Sequence, residues 1–300
     1  MDRYTVHHFN HDFPNDNACL DYLVRELYPY GIQCRTCEEI RKHHKLANRK
    51  AYSCDHCGTH VYPLAGTIFE KSSTPLKSWF YAIYLMASTR CGISAKQLER
   101  ELGCTYKTAW RMFNKVRALL GEEIEKLSGE VEADEAYMGG RERGKRGRPG
   151  KDSKKVPVLG IVQRGGKVAA LVTKDTTTKS IRPIIREYVM PASLVYTDEY
   201  KAYDLLKSDG YKHERICHEE KVYVVGDVHT NTIDGFWSLL KRGISGVYHS
   251  VSKKHLQSYV NEYAFRYNHR GDARPMFKAV AGRAKNVRAG KHGKYSPLGS

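Results

Sequence analysis

The stretch Glu130-Val131-Glu132-Ala133-Asp134-Glu135-Ala136-Tyr137 decides the reading of this chain. Its alternation is that of a strand, yet Glu132 and Asp134 share one face of it. Carboxylates on a strand that packs into a core are costly unless a cation or a metal meets them. Downstream, Val156–Gln163 and Lys167–Thr173 are β-rich runs joined by Arg164-Gly165-Gly166, a hairpin signal. Residues 178–189 then read as a helix, 193–197 as a strand and 222–225 as a short strand. Residues 231–242 and 255–268 read as helices. A strand hairpin followed by alternating helix and strand predicts an α/β fold, a sheet layered with helices. No internal repeat is visible.

Two further acids stand where such folds place their chemistry. Asp198 follows the apolar strand Leu194-Val195-Tyr196-Thr197, at the end where α/β sheets hold their sites. Asp234 opens the helix that runs to Arg242. Lys241 lies seven residues on, two turns along the same face. Taken singly, these acids read as a strand-edge acid, a turn acid and a helix cap. Taken together, three carboxylates with Mg2+ or Mn2+ are equipment for phosphodiester chemistry, because hard cations need shared oxygen ligands.

The N-terminal half has a different chemistry. Cys34-Arg-Thr-Cys37 and Cys54-Asp-His-Cys57 are separated by sixteen residues, the spacing of a zinc ribbon from about Gly31 to Pro63. Four thiolates also suit iron, and zinc is the preferred reading. His56 and His60 read as surface residues, and Cys19, Cys91, Cys104 and Cys217 as small packing residues. Residues 16–29 form an amphipathic helical pattern, and 78–88 an aromatic-rich buried helix. Ser94 can cap a helix ending at Gly103, and Thr105 the next, which gives helix-turn-helix spacing. The second helix carries Lys107, Arg111, Lys115 and Arg117, predicted DNA contacts. An ordinary helical hairpin is the other reading.

Charge agrees with a polyanionic partner. The 300 residues carry a formal net charge of +17. The segment 139–155 alone holds eight Lys and Arg against two acids, and its glycines and proline read as a mobile loop. Arg141, Arg143, Lys145, Arg146 and Arg148 in it are expected to hold phosphates, as is Arg242. With 41% hydrophobic residues, wholesale disorder is excluded. No apolar run approaches a membrane span and the N-terminus has no apolar signal core, so the expected compartment is the cytoplasm.

The strings Val131–Gly140, Tyr196-Thr197-Asp198-Glu199-Tyr200 and His229–Arg242 resemble, in order, the three catalytic blocks of a bacterial insertion-sequence transposase. The family is the ISXO-like one, the fifteen-ninety-five insertion sequences. Residues 259–268 also resemble its closing helix, and the likeness runs from about 15 to 280. It implies an RNase H-like mixed sheet flanked by helices, preceded by a small zinc ribbon and a helical, helix-turn-helix-like segment. It implies four segments: 1–63, 64–128, a catalytic domain at 129–280 and a basic flexible tail at 281–300. It further implies a DDE-type enzyme that cuts element ends and joins the 3′-hydroxyl to target DNA. Asp134 and Asp198 become the first two ligands of catalytic Mg2+ or Mn2+, and Lys241 a phosphate contact near the scissile bond. The family's third block usually carries Glu where this chain has Asp234. Asp234 and, as the alternative, Asn231 are the candidates for the third ligand. Glu132 and Glu135 read as neighbours of the site or surface acids, and Trp237 as core. The resemblance also implies a structural Zn2+ on Cys34, Cys37, Cys54 and Cys57, DNA as partner, a homo-oligomer assembled on DNA, and a prokaryotic, nucleoid-associated location. A DNA-binding regulator without catalysis and a nuclease without joining are the competing classes.

Overall fold

Short polar caps start most of the N-terminal helices. In this computed structural model, which describes residues 4–89, 91–139, 153, 155–216, 231–272 and 276–284, Thr5 caps α1 (Val6–Asp12) and Asn15 caps α2 (Asp16–Leu27). Two small antiparallel ribbons follow: β1 (Ile32–Gln33) with β2 (Ile40–Arg41), and β3 (His43–Lys45), β4 (Tyr52–Cys54) and β5 (His60–Val61). Then come α3 (Leu76–Ser88), α4 (Ala95–Leu102) and α5 (Tyr106–Ala118). Pro75 offers α3 no side-chain cap. The Asp16 carboxylate supplies it from α2, accepting from the Leu76 and Lys77 amides at 2.9 Å each.

These elements form the first of two compact units, which also takes in Asp272 and the helix Met276–Gly282. Its core is aromatic. Phe277 packs against Tyr4, Phe9, Phe13, Phe80 and Tyr84 with ring centroids 5.5–6.3 Å apart. A residue from the far end of the sequence thus completes the N-terminal core. The expected segment 129–280 therefore breaks before its end, and the segments expected at 1–63 and 64–128 share one compact unit.

The second unit, Leu120–Gly271, is built on β6 (Glu130–Met138), β7 (Val156–Gln163), β8 (Val168–Val172), α6 (Thr178–Tyr188), β9 (Leu194–Thr197), β10 (Lys212–Arg215), α7 (Asn231–Gly243) and α8 (Lys253–Asn268). The helix Met276–Gly282 is α9. The sheet order is β10-β9-β6-β7-β8. β7 runs antiparallel to β6 and β8, whereas β9 and β10 run parallel to β6. This is the expected mixed sheet, with one antiparallel strand pair on each side of β7 and parallel strands beyond β6. Alternation along β6 sorts its side chains. Val131 and Ala133 pack with Ile181 and Ile185 of α6 on one face. Ala136 and Met138 join Ile233, Phe236 and Leu240 of α7 and Val260 of α8 on the other. Burying each of these large aliphatic or aromatic side chains contributes roughly 1.5–3 kcal/mol, which is why two helical layers hold one sheet.

The sequence reading missed α1, α9 and β10. The strand expected at 222–225 lies outside the described residues.

Candidate active site

β9 stops early. It pairs with β6 only from Glu130 to Glu132. Asp134 and Glu135 therefore lie past the end of β9, where Asp198 continues the chain. There Asp134, Glu135 and Asp198 each bring one carboxylate oxygen within 4.8 Å of the other two. All three are half-buried. The Tyr200 amide donates to Asp198 Oδ1 at 3.0 Å and fixes that turn.

Asp134 faces α7, where Trp237 Nε1 donates to its Oδ2 at 2.8 Å. Burial pushes the Asp134 carboxyl up to about 6, and the charges of Asp198 and Asp234 push the same way. The Trp237 indole and the Glu135 amide oppose them. None of the salt bridges among the described residues reaches Asp134. The wholly buried Tyr203 phenol is held well above its ordinary value by burial, then by the charges of Glu135, Asp134 and Asp198. The donor set suits a hard dication: three carboxylates, one of them destabilised in its charged form.

Asp234 is exposed on the first turn of α7 and outside this three-acid cluster, although its charge still acts on Asp134. Asn231 begins α7 and is exposed, as is Lys241 two turns past Asp234. Glu135 is the residue the sequence reading undervalued. Strand alternation turns it away from Asp134's face, and only the early end of β9 lets their oxygens approach. Glu132, fully buried, has a different task. Its Oε2 accepts from the Ile233 amide at 2.9 Å, and its Oε1 from Arg164 Nε at 2.8 Å. Arg164 also reaches Glu130 and lies over the Tyr196 ring.

In the first unit, Cys34, Cys37, Cys54 and Cys57 bring their sulfurs within 4.8 Å of one another. Each pair forms the same knuckle. The Glu38 and Gly58 amides donate back to the Cys34 and Cys54 carbonyls at 2.9 and 3.1 Å. Both residues adopt positive φ, 59° and 73°. Glycine meets that demand freely at 58, and Glu38 meets it at some strain. Hydrogen bonds with Thr59 pull the Cys57 thiol down to about 6, while those shared with the neighbouring thiols push Cys37 up to about 12. His56 Nδ1 lies 3.6 Å from Cys37 Sγ. Cys19 is buried as expected, but Cys91 is exposed. Cys217 lies outside the described residues.

α4 and α5 meet through Gly103, in the left-handed conformation at φ 59°, and Thr105, whose hydroxyl accepts from the Thr108 amide. A three-residue turn thus joins the two capped helices, the spacing expected of a helix-turn-helix. Lys107 and Arg111 are exposed on α5, beside Tyr106, which stacks on Trp110. Lys115 is placed otherwise than expected. Its ammonium donates to the Ile68 carbonyl at 3.0 Å and lies over Trp79. Arg117, also expected to face DNA, is buried against the Phe113 ring. Arg117 falls on the buried face of α5 with Ala109, Phe113 and Val116, whereas Lys115, two residues back, is held by the Ile68 carbonyl. Arg242 is exposed and donates to the Ser238 carbonyl. Arg141, Arg143, Lys145, Arg146 and Arg148 lie outside the described residues. Among the described residues no helix is long and apolar enough to cross a membrane.

Comparisons with known proteins fall on these elements. Residues 126–268 match the ISXO2-like transposase domain, and residues 14–60 the transposase zinc-ribbon domain. An uncharacterized protein in transposable element ISH50 of Halobacterium salinarum is 30% identical, over 85% of this chain and 91% of that one. An uncharacterized transposase-like protein of Haemophilus influenzae is 33% identical over 34% of this chain and 81% of its own length. Among solved structures, the Mos1 strand transfer complex aligns with 74% of this chain and 80% of that one, at 10% identity and a TM-score of 0.30. A simian T-cell lymphotropic virus intasome aligns with 68% and 76%, at 12% identity and 0.33. With a relative matched along nearly its whole length, a zinc-ribbon match over the four cysteines and a domain match over the mixed sheet, this chain belongs to the ISXO2-like transposase family.

Proposed function

We propose that this chain is a DDE-type transposase that cuts the ends of an insertion sequence and joins the freed 3′-hydroxyl to target DNA. The observation that carries the reading is the meeting of Asp134, Glu135 and Asp198 past the end of β9. Asp134 and Asp198 would hold Mg2+ or Mn2+, with Asp234, Asn231 or Glu135 completing the set. Bound there, the metal pair supplies activation of the attacking oxygen and stabilisation of the leaving one. The chain's own residues do the rest. Lys241, exposed two turns from Asp234, takes a phosphate near the scissile bond. Lys107 and Arg111 anchor the helix-turn-helix on the element ends, and Arg141, Arg143, Lys145, Arg146, Arg148 and Arg242 hold further phosphates. Cys34, Cys37, Cys54 and Cys57 hold a structural Zn2+ that keeps the ribbon folded. Two ends must be joined together, so the working form is a homo-oligomer assembled on DNA, in the nucleoid of a prokaryotic cytoplasm.

A strand-transfer assay tests this. It uses purified protein, Mg2+ or Mn2+ and the DNA flanking its own gene, beside Asp198→Ala. Joined products that vanish in Asp198→Ala are expected. Cleavage without joining would make the chain a nuclease, and binding without cleavage in either metal a DNA-binding relic.

A further inference from the structure

Asp134 has an unusual neighbour across the sheet. The residue opposite it on β7 is Gly160. A Cβ built on Gly160 would lie 2.6 and 2.8 Å from Cζ2 and Cη2 of Trp237, and 2.8 Å from Cδ1 of Ile233. The missing side chain is therefore what lets the Trp237 indole settle onto the backbone of β7. From that seat its Nε1 reaches Asp134 Oδ2 at 2.8 Å. Trp237 is almost wholly buried. A buried indole N–H needs an acceptor, and here a carboxylate of the acid cluster supplies it. A second tie runs beside the first, from the Ile233 amide to Glu132. Residues 233 and 237 are one turn apart on α7, and 132 and 134 share one face of β6. Two hydrogen bonds thus set the register of α7, with Asp234 and Lys241 on it, against the strand that carries Asp134.

We infer that Trp237, seated on Gly160, is a positioning residue: its indole N–H fixes the rotation of the Asp134 carboxylate for metal binding. This rests on the reading of Asp134 as a metal ligand. Partners that orient a ligating carboxylate typically change metal affinity by about 10–100-fold when removed. Packing alone would need only the ring.

The test uses the full-length, zinc-loaded protein and Mn2+ alone, with free Mn2+ followed by electron paramagnetic resonance and metal-free melting recorded in parallel. Asp134→Asn is expected to abolish the binding seen in wild type. Trp237→Phe, which keeps an aromatic ring and loses the donor, is expected to weaken it by about 10-fold or more. Gly160→Ala, which unseats the indole, moves it the same way. Val260→Ala removes core packing from α8 on the same face of the sheet. It is expected to lower the melting temperature while leaving affinity within about two-fold. Without metal, the Trp237 indole N–H resonance is expected to shift in Asp134→Asn. Wild-type affinity in Trp237→Phe, an equal loss in Val260→Ala, or an unmoved indole resonance would overturn the positioning role. Binding that survives in Asp134→Asn, or no binding by wild type, would instead remove the metal reading and this inference with it.

Discussion

Glu132 and Asp134 stand two residues apart on one face of one strand, and the protein treats them in opposite ways. Glu132 is fully buried and fully answered, by a guanidinium on one oxygen and a helix amide on the other. Asp134 has an indole and a backbone amide, and faces two other acids whose charges act against its own. Desolvation works against the charge at both sites, most completely at Glu132. At the first it is solved within the chain. At the second no salt bridge among the described residues answers it, and the proposed metal would do so. A buried acid whose charge the fold balances is holding structure together. One whose charge the fold leaves standing is a candidate place for a ligand.

Substitutions separate the two. The largest expected effect is on activity: Asp134→Asn lowers metal-dependent DNA cleavage and joining by ~10²–10³-fold or more. The same change leaves the fold intact. Glu132→Ala should do the converse to stability, stripping the acceptor from Arg164 and the buried Ile233 amide, a loss of about 3 kcal/mol in chemical denaturation. Equal stability losses in the two variants would erase the distinction.

The pH dependence sharpens it. Asp134 binds its proton more tightly in the folded chain, its carboxyl raised to about 6. Its burial therefore carries no penalty below about pH 4. The penalty grows as pH rises through 4 to 6 and is complete above, on the order of 2–3 kcal/mol. Asp134→Asn removes it. The stability difference, variant minus wild type, should thus grow with pH across that window and then level off. Mg2+ should stabilise wild type above pH 6 and have little effect near pH 4, because a protonated carboxyl is a poor ligand.

The smallest effect concerns two lysines of α5 that stand in the same relation. Lys107 is exposed, whereas Lys115 is tied to the Ile68 carbonyl. Lys107→Ala should weaken binding to DNA and reduce the salt slope by about one. Lys115→Ala should lower thermal stability and leave the slope unchanged, as titrations at several salt concentrations will show.

How much of this was legible in the sequence depends on locality. The four cysteines lie in two short motifs that dictate their own knuckles, so spacing alone brings them together. The sheet was legible for the same reason: β7 and β8 are apolar runs with a short turn between, and β6 before them alternates as a strand does. The acid cluster was half legible. Asp134 and Asp198 stand at strand ends, but Glu135 joins them only because β9 stops at Thr197, and pairing length is a tertiary fact. Glycine 160 carries no chemistry to notice until the indole of Trp237, far along the chain, is seen to need its space. Phe277 is the extreme case. Nothing near it in sequence indicates that it closes a core formed by Tyr4, Phe9 and Phe80. Lys115 and Arg117 show the reverse: basic residues at helical spacing read outward, whereas Arg117 packs on the Phe113 ring and Lys115 donates to the Ile68 carbonyl.

The contrast between the two carboxylates is tested most directly by melting wild type and Asp134→Asn at pH 7.5, each with and without Mg2+. The account predicts that the variant is the more stable protein in the absence of metal, and that added Mg2+ raises the melting temperature of wild type alone. A variant that melts below wild type without metal, or that responds to Mg2+ as wild type does, would contradict it.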